Sequence, residues 1–198
     1  SWNTSLVTNM ANGFSNSYSY NYGFIDLSSW DVSSVTSMNS MFAEQYNLNV
    51  EVSSWDVSSV MDMGYMFQYA YNFNSDLSKW DVSSVTNMYG MFSNAYRFNS
   101  DISKWDVSSV NGFGMGQMFY YASAFNHDVS GWRGLATENS QWDMFYGASA
   151  FIDKYLCAEV HRNWNYGSVM PSNCTTQNST WVSPSPPPPS SSPPPSPP

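Results

Sequence analysis

Regularly spaced carboxylates are the side chains of this sequence whose type and spacing suggest chemistry. One aspartate follows a tryptophan in each copy of a repeated hexapeptide, at Asp31, Asp56, Asp81 and Asp106. A second acidic series runs earlier in the repeats, at Asp26, Glu51, Asp76, Asp101 and Asp128. Neighbouring strands of a sheet lie about 4.8 Å apart, so acids at one repeated position would be close neighbours.

Two interpretations of these acids are open. Ca²⁺ binds several carboxylate and carbonyl oxygens, so the aspartates that follow the tryptophans could form a calcium ladder. Alternatively, each carboxylate accepts hydrogen bonds from turn amides or a nearby serine, while Lys79 and Lys104 reduce the repulsion between like charges. The second interpretation is favoured, and calcium is the one cofactor for which the sequence offers candidate ligands.

The other reactive side chains do not form a catalytic pattern. His127 and His161 are the only histidines, and neither has ligand-type neighbours at metal spacing. The glycine-rich run from Gly112 to Gly116 lacks the Lys-Ser/Thr pair of a phosphate-binding loop. Glycoside hydrolysis needs one differentiated pair of carboxylates, which periodic copies do not provide. We therefore expect a protein that is not an enzyme.

The acids belong to a regular internal repeat. The hexapeptide Trp-Asp-Val-Ser-Ser-Val recurs every 25 residues, and two aromatic series extend beyond it with steps of 25 to 28 residues. The tryptophan series is Trp2, Trp30, Trp55, Trp80, Trp105 and Trp132, and the phenylalanine series is Phe14, Phe42, Phe67, Phe92, Phe119 and Phe145. A period of this length is typical of solenoids, in which each repeat stacks on the next.

Within one repeat, the apolar spacing predicts a strand followed by a helix. Leu77, Trp80 and Val82 match the L-x-x-L-x-L spacing of leucine-rich repeats, so a strand through the last two would turn Asp81 outward. Apolar residues from Val85 to Ala95 then recur with helical spacing for two or three turns, although an internal glycine leaves 3₁₀ geometry open. The predicted fold class is α/β: a leucine-rich-repeat-like solenoid of about six strand–helix repeats of ~25 residues.

Asparagines suggest one further element of this fold. Asn74, Asn99 and Asn126 each follow a phenylalanine at the same point of the repeat. By analogy with other solenoids, we expect a buried asparagine ladder that hydrogen-bonds the turn backbone.

The repeat resembles the BspA-like surface repeat of mycoplasma lipoproteins and of many bacterial and algal extracellular proteins. Its pattern here is F-N-x-D-[LI]-S-x-W-D-V-S-S-V-T-x-M-x-x-M-F-x-x-A, matched closely at residues 73–95 and 98–110 and more loosely elsewhere. The resemblance covers residues 1–151. It implies a solenoid exposed on a cell surface and carries no catalytic residues with it.

The pattern fades after residue 151, and two further segments follow. Residues 152–183 contain both cysteines, Cys157 and Cys174, and are predicted to form a C-terminal cap with one disulfide. Residues 184–198 contain only proline and serine. That composition favours an extended polyproline II helix over a packed structure.

Several positions are candidates for covalent glycans. The sequence Ser-Pro-Pro-Pro-Pro at residues 185–189 is similar to the repeat of extensins, the hydroxyproline-rich glycoproteins of plants and green algae. This resemblance implies hydroxylation and O-glycosylation at Ser185, Pro186, Pro187, Pro188, Pro189, Pro193, Pro194 and Pro195. Acceptor triplets for N-glycosylation occur at Asn3, Asn173 and Asn178. We expect a secreted glycoprotein, of algal type, in a cell wall, on a cell surface or in a surface filament.

Composition limits the partners of this chain. Fifteen acidic against six basic residues give a net charge of −9, so we expect no binding to nucleic acid or to anionic membranes. No apolar run approaches the roughly 20 residues that cross a bilayer. The sequence begins inside a repeat, which favours processing from a longer precursor.

Two functions fit these features. The first is a structural subunit of an extracellular filament, wall or flagellar-hair-type assembly, which polymerises head to tail through its solenoid ends and its tail. The repeats begin without a visible polar cap, and an uncapped end invites a neighbouring copy. The alternative is a monomeric adhesin or glycan-binding module on a proline-rich stalk. Tyr18, Tyr20 and Tyr22 are candidate contacts with a glycan or with a partner subunit.

Overall fold

Regular secondary structure is short in this protein. The computed structural model describes residues 4–15, 24–132, 143–157 and 174–176. Strand β1 (Ile25–Asp26) pairs in parallel with β2 (Val50–Glu51), Ile25 opposite Val50 and Asp26 opposite Glu51. Isolated parallel bridges join successive repeats elsewhere, linking Asn9, Ser37, Asp62 and Asn87 in that order. Equivalent backbone positions of consecutive repeats therefore lie side by side.

The remaining elements follow the repeats. A 3₁₀ turn spans Ser130–Trp132, helix α1 spans Ser149–Lys154, and β3 (Tyr155–Cys157) pairs antiparallel with β4 (Cys174–Thr176). The register places the Cys157 backbone opposite that of Cys174. Directly opposed residues of antiparallel strands have Cα atoms about 4.5–5.5 Å apart, a separation that a disulfide can bridge. The predicted disulfide is compatible with this register and stays a prediction.

Between the strands, backbone amides alternate between two kinds of acceptor. The Gly90 and Phe92 amides donate to the carbonyls of Gly116 and Met118 in the next repeat, both at 2.9 Å. The Ser93 amide instead donates to the Gly90 carbonyl in its own repeat, at 3.0 Å. We call the stretch from Met88 to Ala95, with its equivalents in the other repeats, the turn segment. Throughout this segment, the bonds between repeats run from an amide of the earlier repeat to a carbonyl of the later one.

The turn segment occupies the place where the spacing predicts a helix. Described residues 24–129 contain turns and two-residue strands but no helix. The cause is a residue with positive φ at two fixed places per repeat, where a right-handed helix cannot continue. These residues are Asn12, Ser40, Tyr65, Gly90, Gln117 and Asp143 at the first place, and Glu44, Tyr69, Asn94, Tyr121 and Gly147 at the second. The pairing between repeats also lies away from Trp80 and Val82, through which a strand was predicted.

The core is built from columns of identical side chains. Rings of the phenylalanine series stack with centroids 5.3–5.8 Å apart from Phe14 through to Phe145. A second column runs from Phe73 to Phe151 through Phe98 and Phe125, and its rings lie 3.7–4.0 Å from those of the first. Valines and methionines fully buried beside these columns complete the core. Aromatic stacking of this kind adds to the burial of apolar area.

Candidate functional site

The aspartates that follow the tryptophans are engaged by local donors. Asp81 Oδ1 accepts hydrogen bonds from the Ser83 amide at 3.1 Å and from Ser83 Oγ at 2.6 Å. The same arrangement recurs with a serine two residues after Asp31, Asp56 and Asp106. All four aspartates are exposed, as predicted for Asp81. Each carboxylate therefore fixes the turn that begins the Ser-Ser-Val stretch.

The earlier acids add contacts between repeats. Ser75 Oγ donates to Glu51 Oε1 in the preceding repeat at 3.2 Å and accepts the Val52 amide at 3.4 Å. Ser100 bonds Asp76 and Leu77 in the equivalent way, at 3.5 and 2.8 Å. Glu51 is half-buried, whereas the other four acids of this series, Asp26, Asp76, Asp101 and Asp128, are exposed. Two buried serines thus connect neighbouring repeats through the acidic series.

The structure does not gather these acids into a metal centre. Among the described residues, no three His, Cys, Asp or Glu side chains converge in a group that could hold a metal ion. Oδ1 of Asp31, Asp56, Asp81 and Asp106 already accepts serine donors. These contacts match the interpretation in which the acids stabilise turns, and a calcium ladder is not needed to account for them.

These hydrogen bonds make the stability of the folded protein depend on pH in the acidic range. Serine hydroxyls and then serine amides lower the pKa of Asp31, Asp81, Asp101 and Asp106, because they stabilise the charged carboxylate. Because the pKa of these carboxyl groups is lower in the folded than in the unfolded protein, the charged carboxylates stabilise the fold above the unfolded pKa, which is near 4. This stabilisation is lost as the pH falls through the folded-state pKa. We expect the melting temperature to fall as pH drops below about 4.

Calorimetry across this acid range tests the pH prediction. Asp81→Asn keeps an acceptor oxygen but does not titrate, so its melting temperature should fall less steeply with acid than that of the parent chain. Equal slopes for the two proteins would show that these carboxylates do not contribute.

A ladder of indole hydrogen bonds was not anticipated from the sequence. Nε1 of Trp55, Trp80 and Trp105 donates to a backbone carbonyl 28 residues earlier, at 3.0–3.1 Å. The indoles of Trp80 and Trp105 lie parallel, 6.5 Å apart. Among the described residues, Trp132 Nε1 is buried without a partner, and it follows the longer step of 27 residues. Trp55, Trp80 and Trp105 therefore both fill the core and tie their repeats to the preceding ones.

Two amide ladders join the repeats at their surface. Asn74 Oδ1 accepts the Asn99 amide at 2.7 Å, and Asn99 Oδ1 accepts the Asn126 amide at 3.0 Å. The predicted asparagine ladder thus exists, but it is exposed or half-buried rather than buried. A second ladder centres on the Asp62 carboxylate, which accepts the side-chain amides of Asn39 and Asn87.

A partly exposed column of tyrosines is a further feature that the sequence analysis missed. In consecutive repeats, the Tyr46 ring lies tilted against Tyr71 with centroids 4.9 Å apart, and the Tyr71 ring stacks on Tyr96 at 4.7 Å. Tyr96 is 42% exposed. Burial, and then the neighbouring Tyr96 and Tyr46, raises the pKa of Tyr71, so the Tyr71 hydroxyl stays a protonated donor. We call these three residues the tyrosine stripe. The 25-residue spacing of the three tyrosines was the available signal.

The first described repeat carries an apolar cavity of about 570 Å³. Its lining includes Val7, Met10, Gly13 and Leu27. Val7 is only partly buried, whereas its equivalents Val35, Val60 and Val85 are fully buried under the preceding repeat. This face therefore has the composition of a core surface at which one further layer would fit.

Backbone groups at the two ends of the described stack are complementary. Within the described residues, the carbonyls of Ala11 and Gly13 accept no hydrogen bond, although the equivalent carbonyls of Asn39 and Met41 accept amides of the preceding repeat. At the other end, the amides of Phe145 and Gly147 donate to no described group, whereas the equivalent Phe119 and Tyr121 amides bond the next repeat. One end thus presents acceptors and the other presents donors, at the same positions of the repeat.

The remaining predicted sites lie outside the described residues. These are the N-glycosylation triplets at Asn3, Asn173 and Asn178, the tail positions from Ser185 to Pro195, and the Tyr18–Tyr22 stretch. None of the helices in the described part is long and apolar enough to span a membrane.

Together, these contacts define a class of protein built from stacked 25-residue units, whose polar side chains mainly join one unit to the next. A family model described as "Mycoplasma protein of unknown function, DUF285" matches residues 1–88, 44–158 and 72–181. The chain belongs to this family, which agrees with the expected mycoplasma-type repeat at a coarse level. The matches end before the Pro/Ser segment and do not bear on its extensin resemblance. No curated protein and no solved structure matches the chain.

Proposed function

We propose that this protein is a non-enzymatic structural subunit of an extracellular filament, wall or flagellar-hair-type assembly, in which copies join head to tail as one continuous solenoid. The observation that carries this proposal is the complementarity of the two ends of the described stack. The Phe145 and Gly147 amides occupy the positions from which donors reach the next repeat, and the Ala11 and Gly13 carbonyls occupy the positions that receive such donors.

Side chains at the first repeat support the same contact. The cavity beside Val7 and Met10 is apolar, and burying such a surface contributes about 25 cal/mol per Å². A contact between two different faces of one molecule leaves both outer ends open for further copies, so it propagates as a fibre unless it closes into a ring. Head-to-tail stacking therefore yields a filament without an additional partner.

The proposed location follows from the family and the tail. The family match supports a surface repeat, and the extensin-like composition of the tail, whose prolines we propose to be hydroxylated and O-glycosylated, supports a wall or fibril glycoprotein. Intact mass spectrometry of the native protein should show hydroxyproline and pentose or hexose additions on residues 185–195. An unmodified mass would remove the tail as support for this location.

Negative-stain electron microscopy of two matched variants tests the assembly. Val7→Asp places a charge in the apolar cavity and should abolish filaments, because the carboxylate would be buried without a partner. The adjacent Leu6 is 88% exposed and does not line the cavity, so Leu6→Asp should leave filaments intact. Circular dichroism verifies that both variants are folded.

The same experiment separates the two functions. Filaments with a regular axial repeat in the parent chain and in Leu6→Asp, but not in Val7→Asp, are the expected result. Dispersed particles of the parent chain at all concentrations, together with binding to a glycan array, would instead favour the monomeric adhesin or glycan-binding module.

A further inference from the structure

The tyrosine stripe has the features of a docking surface. Three neighbouring rings, with Tyr96 exposed and Tyr46 and Tyr71 half-buried, form an aromatic edge that runs along the stack of repeats. A column of exposed polar side chains lies next to it in sequence, formed by Asn47, Asn72 and Arg97, with Asn72 Nδ2 donating to Asn47 Oδ1 at 3.2 Å. The surface thus combines apolar ring edges with hydroxyl, amide and guanidinium donors.

We propose that the tyrosine stripe binds the Pro/Ser segment, residues 184–198, of this same chain in a polyproline II conformation. Recognition of polyproline II helices by aromatic-lined surfaces is a recurring mode, because the ligand is already extended and loses little entropy on binding. The segment is uncharged and contains only prolines and serines, so it suits a stripe of neutral tyrosines. This inference goes beyond the proposed filament and does not require it.

The dimensions of the two partners agree. The two steps of the stripe, 4.9 and 4.7 Å, together cover about 9.6 Å. Three residues of polyproline II make one turn of about 9.3 Å. A segment that runs along the stripe therefore presents the same face of its helix to every second tyrosine. Residues that share such a face lie three apart, as do Pro186 and Pro189 and, further on, Pro195 and Pro198.

Hydrogen-bond chemistry is also complementary. A polyproline II backbone makes no internal hydrogen bonds, and proline has no amide donor, so the segment presents carbonyl acceptors that need donors. The tyrosine hydroxyls, the Asn72 amide and the Arg97 guanidinium are donors. The hydrogen-bond acceptors of the segment thus match the donors of the stripe, in addition to the match in spacing.

The proposal allows modification of the outward prolines of the tail and requires the docked prolines, Pro186, Pro189 and Pro195, to carry no glycan. A polyproline II helix has three faces, because it has three residues per turn. Docking through the face of Pro186 and Pro189 leaves Pro187 and Pro188 directed away from the stripe. Hydroxylation and O-glycosylation of these outward prolines would not prevent contact.

Site-specific photocrosslinking in the full-length chain tests the docking. Ser192, which shares the face of Pro189 and Pro195, is replaced by p-benzoylphenylalanine in protein made in a bacterial host, and crosslinks are mapped by mass spectrometry. We expect crosslinks at the tyrosine stripe, within one chain or between two copies. Tyr96→Ser should lower their yield roughly threefold to tenfold, as expected for the loss of one aromatic contact.

A matched control keeps the result specific. Tyr121 is 41% exposed, against 42% for Tyr96, and lies outside the stripe, so Tyr121→Ser should leave the yield unchanged. Replacing Pro186, Pro189 and Pro195 by glycine should also lower the yield, because glycine abolishes the preference for polyproline II. Circular dichroism verifies folding of each variant.

Three outcomes would overturn the proposal. The first is crosslinks spread over other surfaces, and the second is equal yields in the Tyr96→Ser and Tyr121→Ser variants. The third is a glycan-array signal that depends on Tyr96 without any tail crosslink, which would assign the stripe to a glycan instead. Crosslinks within single chains in a preparation without filaments would support docking while contradicting the filament, so the two proposals fail separately.

Discussion

Replacing Phe92 by alanine should lower the free energy of unfolding by about 3–5 kcal/mol, the range for deleting a buried aromatic ring. The Phe92 ring is fully buried. It stacks on Phe67 and Phe119 at 5.8 Å and lies 3.7 Å from Phe98. The stack cannot close around the missing ring, because its spacing is fixed by the backbone bonds of the adjacent repeats. Urea denaturation followed by tryptophan fluorescence measures the loss.

Phe113→Ala is the matched control for this prediction. Phe113 lies in the next repeat and is 67% exposed, so its replacement should change the free energy of unfolding by no more than about 0.5 kcal/mol. Similar losses in the two variants would contradict a core built on the phenylalanine columns.

Gly90→Ala should be the second most damaging of these substitutions, with a loss of about 2–5 kcal/mol. Gly90 has a φ of +59°, and a Cβ atom there would lie 2.8–2.9 Å from ring carbons of Tyr65 in the preceding repeat. The left-handed backbone costs a side-chain-bearing residue about 1–2 kcal/mol. The remainder comes from the overpacking against Tyr65, whose ring has to move.

Gly112→Ala separates the two causes. Gly112 has a similar φ of +55°, but a Cβ atom there would meet nothing within 4 Å. Its replacement should therefore cost only the backbone strain, about 1–2 kcal/mol. Thermal or urea unfolding of both variants measures the difference. Equal losses would show that the contact with Tyr65 does not constrain the turn segment.

The sequence was informative about which residues recur and which of them are buried. The 25-residue spacing identified the tryptophan and phenylalanine columns, and the structure buries Trp55, Trp80 and Trp105 along with the central phenylalanines. The exposure of Asp81 was also predictable, because an acid between two core residues must face solvent. These inferences succeeded because periodic burial leaves a periodic pattern of side-chain types.

The local backbone was less predictable. Val85, Met88, Met91 and Phe92 have helical spacing, yet their segment forms turns, since half of its amides bond the next repeat instead of their own. Residues such as Tyr65 and Tyr69 adopt positive φ, which no propensity would suggest. Such conformations persist because contacts with the neighbouring repeats fix them, and a single repeat read in isolation contains no sign of those contacts.

The candidate surfaces were recognised only in part for a related reason. The acidic series was visible in the sequence, and hydrogen bonds from turn amides or a nearby serine were one of its two interpretations. The indole bonds 28 residues back and the bridging by Ser75 and Ser100 depend on how repeats are offset, and sequence spacing does not specify that offset. The tyrosine stripe was missed because its residues recur with the same spacing as the core residues, and the sequence analysis concentrated on residues expected to be buried.

The indole bonds between adjacent repeats have a consequence for how such chains change in length. Because Trp80 and Trp105 make the same bond to the repeat before them, excising 25 consecutive residues joins two surfaces that already fit. Unequal recombination between near-identical gene segments can therefore shorten or lengthen the molecule by whole coils. The length of the repeat stack can therefore change in evolution while the packing of its core stays the same.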